Sequence, residues 1–169
     1  MNPTIMVVED EELLLQAITK KLKLSEMDVV SCASGQQAVD YLENLDTLPD
    51  AIWLDYYLKD MNGLSFMELV KQNPKWRDIP VLVVSNSASP EKVHNMLALG
   101  AKKYMLKAEY RLDEIIGIIR EFIADAQNST GAGPTTSLPA QMSDPQTPPQ
   151  AAAPPASDDP ADDSTNQPT

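Results

Sequence analysis

Asp55 closes the apolar run Ala51-Ile52-Trp53-Leu54 and opens a polar turn that reaches Gly63. Three other apolar runs end in comparable chemistry. Ile5-Met6-Val7-Val8 leads into the acidic pair Glu9-Asp10, Val81-Leu82-Val83-Val84 into Ser85, and Lys103-Tyr104-Met105-Leu106 into Lys107. A carboxylate attacks a phosphoryl group poorly because both are anionic, so such chemistry needs charge neutralisation. Three acids can hold a hard divalent cation through oxygen. A hydroxyl and an amine can take up the oxygens of a phosphoryl group carried on a carboxylate.

Each of these residues alone has an ordinary explanation. An aspartate after a strand is usually a turn former. Glu9-Asp10 also suits the N-terminal end of a following helix and its dipole. Lys107 alone is a solvated lysine, and Ser85 alone is a hydroxyl in the polar stretch Ser85-Asn86-Ser87-Ala88-Ser89. The coincidence of four run ends carries the reading, because ligands in an open parallel sheet collect outside the carboxyl ends of the strands.

The elements that must position these groups are five short apolar runs, 5–8, 28–32, 51–54, 81–84 and 103–106, alternating with helical patterns. Runs one, three and four are almost continuously apolar, as expected of parallel strands covered on both faces. Run two alternates more and suits an edge. Leu14, Ile18 and Leu22 give helix one its stripe. Ser34 is the expected N-cap of helix two with Gln37 at the capping-box position, followed by Ala38, Tyr41, Leu42 and Leu45. Helix three carries Leu64, Met67 and Val70 and stops before Pro74. Ser89-Pro90 opens helix four, and Gly100 is its expected C′ glycine. Leu112, Ile115, Ile116, Ile119 and Ile123 form one stripe on helix five. Five βα units with short connections predict right-handed crossovers and an α/β, doubly wound parallel sheet.

The 169 residues carry a net charge of −12. From Gln127 to Thr169 there is no aromatic residue, no Lys or Arg, and 9 of the 14 prolines. That Pro/Ala/Ser/Thr/Asp-rich composition buries too little apolar surface to offset its ordering entropy. The chain is therefore expected to divide into a domain at 1–126 and a disordered tail at 127–169. The tail holds five acids, which leaves 20 acids against 13 bases before it, about −7. With no basic stripe, nucleic acid is excluded as a partner, and an anionic membrane would repel the chain. Cys32 is the sole cysteine, so no intramolecular disulfide forms, and its place at the end of an apolar run reads as a buried, inert thiol. No signal peptide or spanning segment is evident, which points to the cytoplasm. His94, mid-helix and without a relay motif around it, reads as a surface histidine. Trp53 reads as core, Trp76 as cover for a sheet edge, and the methionines mostly as core filler.

Val8-Glu9-Asp10-Glu11, Trp53-Leu54-Asp55, Met61-Asn62-Gly63, Ile79-Pro80-Val81 through Ser85, Gly100-Ala101 and Tyr104-Met105-Leu106-Lys107 stand in order at spacings that resemble a response-regulator receiver domain of two-component signalling. The resemblance covers 1–126 and is to the stand-alone, chemotaxis-type single-domain form, with no second domain expected after helix five. It implies a flavodoxin-like (βα)5 fold with strand order 2-1-3-4-5. It implies Asp55 as phosphoacceptor, Asp10 as a direct Mg2+ ligand, Glu9 at the edge of the ion's shell, and the backbone carbonyl of Tyr57 as a further ligand. Lys107 and Ser85 would contact phosphoryl oxygens. Ser85 with Tyr104 would form a switch. The implied partners are a histidine kinase or phosphotransfer protein and a downstream protein on the face of helix four, strand five and helix five. A weak dimer is also allowed for. Such a chain is not a turnover enzyme and catalyses at most its own aspartyl phosphorylation and dephosphorylation.

Ala108 follows Lys107 where the family carries proline, which bears on how Lys107 is aimed. Asn86 follows Ser85 where the family often carries alanine. Tyr57 and Ser87 flank the approach of water to Asp55, and bulk there is expected to slow loss of a phosphoryl group. Two competing readings remain. One is a pseudo-receiver that binds a partner without phosphorylation. The other is a haloacid-dehalogenase-type phosphatase, which wants a second aspartate where this chain has Tyr57. Neither a P-loop lysine motif nor a G-x-G-x-x-G turn occurs.

Overall fold

The structure is a computed structural model that describes residues 1–130. Strands and helices alternate: β1 Thr4–Val8, α1 Glu12–Leu24, β2 Asp28–Cys32, α2 Gly35–Asn44, β3 Ala51–Leu54, α3 Gly63–Gln72, β4 Val81–Ser85, α4 Pro90–Ala98, β5 Lys103–Leu106 and α5 Leu112–Thr130. All strand pairs are parallel, in the order β2-β1-β3-β4-β5, which is the expected doubly wound topology. β4 includes Ser85, so that hydroxyl sits on the last residue of the strand, not after it. Helix α5 runs to Thr130, four residues into the stretch expected to be tail. The rest of that tail lies outside the described residues.

The pleat sends alternate side chains to opposite faces, and the two faces bury separate cores. Ile5, Val7, Trp53, Leu82, Val84 and Met105 face α1 and α5, where Leu15, Ile18, Leu22, Ile115, Ile119 and Ile123 close over them. Met6, Val8, Ile52, Leu54, Val81 and Val83 face α2, α3 and α4, with Leu42, Phe66, Met67, Val70 and Met96. Every residue of β3 and β4 is buried, which accounts for their uninterrupted apolar character. Each fully buried Val, Leu or Ile contributes roughly 1.5–3 kcal/mol.

Caps fix where the helices begin and end. Ser34, Asn62 and Ser89 each accept a backbone N–H from the third residue of their helix. Gln37 reaches back as a capping-box residue should, but it takes the N–H of Ala33, one residue earlier than expected. Asp60, from the loop after β3, accepts the N–H groups of Gly35 and Gln36 at 3.0 and 2.8 Å, tying the start of α2 to that loop. Burial raises its carboxyl, but backbone N–H groups outweigh this and hold it below the usual range. At the end of α4, Gly100 adopts φ +96, and Gly100 and Ala101 donate to Leu97 and Met96. That is the Schellman arrangement, and it requires a left-handed residue. α1 ends the same way with Glu26 at φ 60 in the left-handed position. No described helix is long and apolar enough to cross a membrane.

Candidate functional site

The functional side chains are placed by the sheet itself. The hydrogen-bond ladder continues one residue past three strands: Glu9 N–H donates to the Cys32 carbonyl, Asp55 N–H to Val8, and Lys107 N–H to Ser85, at 3.0, 2.9 and 2.8 Å. Glu9, Asp55 and Lys107 thus leave β1, β3 and β5 at the same end of the sheet, held by backbone bonds that any side chain there would inherit. Gly63 completes the floor. Its N–H donates to the Tyr56 carbonyl, and a Cβ at Gly63 would lie 2.8 Å from Tyr56 Cα and 3.2 Å from the Asp55 carbonyl oxygen. Only glycine lets the start of α3 approach Asp55 so closely.

Glu9 is fully buried and Asp55 is 3% exposed. Both are held by one cation: Lys107 Nζ donates to Glu9 Oε2 and Asp55 Oδ2, each at 2.7 Å. The other Asp55 oxygen accepts the Tyr57 N–H at 3.1 Å, which fixes the plane of the carboxylate. Burial pushes Glu9 above the usual carboxylate range, with Lys107 opposing it. Burial also draws Lys107 down, but the two carboxylates outweigh it and hold its amine above the ordinary lysine value, so the ammonium persists. The reach of Lys107 is intact although exposed Ala108 follows it.

Asp10 is half-buried beside them, and one carboxylate oxygen from each of Glu9, Asp10 and Asp55 lies within 4.8 Å of the others. Lys59, from the loop after β3, donates to the Asp10 carbonyl at 3.0 Å and lies 3.6 Å from its carboxylate. Oxygen donors of this kind, with negative charge in excess of Lys107 and open to solvent through Asp10, fit a hard divalent cation such as Mg2+.

A second layer of polar and aromatic groups stands beside the acids. Ser85 is buried, and its hydroxyl oxygen accepts the Ser87 N–H at 3.4 Å. Tyr104 on β5 donates its hydroxyl to the Ser87 carbonyl at 2.7 Å. Tyr57 and Ser87 hydroxyls are 3.0 Å apart, and Lys92 of α4 donates to the Tyr57 hydroxyl. The Lys92 ammonium sits 4.8 Å from the Tyr57 ring centroid and 5.5 Å from that of Tyr56. Tyr56 packs edge-on to Tyr57 and tilted against Tyr104, at 5.1 and 6.2 Å between centroids. The loops after β3 and β4, the first turn of α4 and strand β5 are therefore joined in one clasp. The hydrogen bond from Lys92 draws the Tyr57 phenol below its ordinary value, and burial pushes that of Tyr104 up.

The expected site residues Glu9, Asp10, Asp55, Lys107 and Ser85 thus come together at one sheet edge, with Tyr57 and Tyr104 beside them. Sequence reasoning missed Lys59, Tyr56 and Lys92. Lys92 is the third residue of α4, and no periodicity marks it as facing a loop 35 residues earlier. His94 and Asn86 are exposed. Cys32 is fully buried, and burial pushes its thiol up to about 12.

Residues 5–120 match the family described as the response regulator receiver domain. A two-component response regulator of rice (Oryza sativa subsp. indica) is 31% identical over 106 residues, spanning 63% of this chain and 87% of that protein. A signal transduction histidine-protein kinase of Shigella flexneri is 28% identical over 148 residues, spanning 82% of this chain but 16% of the kinase. Among solved structures, a CheY-like receiver domain protein from Methanospirillum hungatei superposes with TM-score 0.70 at 20% identity, over 76% of this chain and 99% of that one. A phosphorylated cyanobacterial phytochrome response regulator superposes with TM-score 0.63 at 25% identity, over 78% of this chain and 98% of that one.

Proposed function

The chain belongs to the response regulator receiver domain family of two-component signalling, and from that premise we propose that Asp55 accepts a phosphoryl group from a histidine kinase or phosphotransfer protein. The observation that carries this reading is the buried pair Glu9 and Asp55 on one ammonium, with Asp10 completing three carboxylates within 4.8 Å. In the transfer, the bond from phosphorus to a partner's imidazole nitrogen breaks and one to an Asp55 oxygen forms. Glu9, Asp10, Asp55 and the Tyr57 carbonyl are the residues that would hold Mg2+. The ion, when bound, supplies positive charge to the phosphoryl oxygens.

This chain's own residues do the rest. Tyr57 N–H and Lys107 orient the acceptor carboxylate, one on each oxygen. Lys107 is also placed to follow the charge outward onto a phosphoryl oxygen, and the Ser85 hydroxyl serves another. Ser87 is hydrogen-bonded to both Ser85 and Tyr104, so a shift of Ser85 toward the phosphoryl group moves the acceptor of the Tyr104 hydroxyl. The altered surface of α4, β5 and α5 is then read by a partner protein in the cytoplasm. The domain reaches at least to Thr130 with helix α5.

Incubation with a small phosphodonor such as acetyl phosphate and Mg2+, read by intact mass, tests the site. One phosphoryl group should be gained, and the gain should vanish with EDTA and in Asp55→Ala. Full labelling of Asp55→Ala would show that another residue is the acceptor. An unlabelled wild-type chain would put the pseudo-receiver reading first. With beryllofluoride as the phosphoryl mimic, amide shifts should reach Tyr104 and α4.

A further inference from the structure

Lys59, in the loop between β3 and α3, makes two contacts that bear on the acidic site. Its ammonium donates to the main-chain carbonyl of Asp10 at 3.0 Å and stands 3.6 Å from the Asp10 carboxylate. No other side chain among the described residues pairs with that carboxylate. The loop is pinned on both sides of Lys59. Asp60 accepts the N–H groups of Gly35 and Gln36, and Tyr57 forms an antiparallel bridge with Asn62. The lysine stem therefore starts from a fixed backbone, although its side chain is 80% exposed. An exposed ion pair of this kind adds little to stability, so its effect falls on what else binds there.

Lys107 already takes up Glu9 and Asp55, whose side chains are 1% and 5% exposed, while that of Asp10 is 16% exposed. A cation entering from solvent therefore meets Asp10 first, and there it must displace Lys59. The two contacts of Lys59 then behave differently. The pairing with the carboxylate gives way, because the ion takes that oxygen. The hydrogen bond to the main-chain carbonyl is free to persist, and it keeps the ammonium at the rim. Resting on the reading of Glu9, Asp10 and Asp55 as a Mg2+ site, we propose that Lys59 is a built-in competitor of that ion. It pairs with Asp10 when no ion is bound and, tethered through the Asp10 carbonyl, lowers the affinity of the site for Mg2+. In water, a 2+ and a 1+ charge about 6 Å apart repel enough to weaken binding about tenfold. Screening reduces this to about threefold at 0.15 M salt and about sevenfold at 0.01 M.

The test is a Mg2+ titration of the unphosphorylated, 15N-labelled full chain, read by the amides of Asp10 and Asp55. Lys59→Met should bind Mg2+ about threefold more tightly than the wild type at 0.15 M salt and about sevenfold more tightly at 0.01 M. Lys59→Arg, which keeps the charge, should bind Mg2+ much as the wild type does. The urea midpoint measured in EDTA should hold in both variants, which separates an effect on the ion from one on folding. An unchanged Kd in Lys59→Met, or a gain that does not vary with salt, would overturn the proposal and leave the metal site standing. If the wild type takes up no Mg2+, or if Asp10→Asn leaves the affinity unchanged, the site itself is misread and the proposal falls with it.

Discussion

Replacing Lys107 with methionine keeps the packing of the stem and removes the ammonium that Glu9 and Asp55 share. The three side chains are 12%, 1% and 5% exposed, so solvent cannot replace the lost charge. At an effective dielectric of about 20, unit charges at this separation attract by about 6 kcal/mol per pair. Desolvation offsets most of that, and removing one partner of a buried pair costs about 3–5 kcal/mol. Glu9, already raised by burial, limits the loss by taking up a proton, which puts the expected cost near 3 kcal/mol at about pH 7.5. An acid whose folded pKa is raised holds its proton where the unfolded chain has released it. Stability therefore falls as pH rises through that window. The deficit of Lys107→Met should shrink on acidification. Added Mg2+ should stabilise the variant by about 2.7 kcal/mol at a hundredfold excess over its Kd if only the folded state binds, and by more than it stabilises the wild type at the same Mg2+ concentration. Urea melts with EDTA or with Mg2+, at two pH values, measure all of this. A loss under about 1 kcal/mol in EDTA, or one that grows as the pH falls, would refute the view of Lys107 as the counterion of a buried pair.

Asp10→Asn should weaken Mg2+ affinity more than Glu9→Gln, because Asp10 is open to solvent while Glu9 is already held by Lys107; Trp53 fluorescence reads the titration, and the reverse order would exchange their roles. Tyr57→Phe removes the hydroxyl that meets Ser87 and Lys92, so amide exchange from Ser87 to Ser89 should quicken while global melting holds; unchanged exchange would mean that the clasp does not restrain that loop. Cys32 should resist a thiol reagent in the folded chain at pH 8 and react once unfolded. Its thiol is raised from about 9 to about 12 by burial, so the folded state keeps its proton where the unfolded chain loses it, and stability should decline as pH climbs above about 9.

The site was legible because its chemistry sits where apolar runs stop. Parallel strands buried on both faces read as unbroken hydrophobic words, and β1, β3 and β4 end at or within one residue of Glu9, Asp55 and Ser85. The caps at Ser34 and Ser89 were legible for the same local reason. Less visible were features that depend on packing. The stripe of α1 is broad, so Leu15 is buried while Leu14 is half-buried. Phe66 is buried on α3 between residues of the expected stripe. No glycine announces the end of α1, because Glu26 takes the left-handed position at a steric cost. Lys59 and Lys92 act through long, flexible stems from loop and helix positions where any lysine would look solvated. Helix α5 outlasts its isoleucine stripe by seven residues to Thr130, where composition changes before the helix ends.

If phosphorylation of Asp55 opens the clasp of Tyr57, Ser87, Lys92 and Tyr104 as proposed, the clasp has a consequence for how a signal is graded. Its bonds share members: Ser87 meets both Tyr57 and Tyr104, and Tyr57 meets both Ser87 and Lys92. Pulling one loose weakens the rest, so a partly opened clasp is less favourable than either extreme. A stronger stimulus would then recruit more molecules to the open form without opening any one of them further. Dose would be encoded in a head count, and a listener averaging over many copies would hear a smooth response from parts that each answer only yes or no.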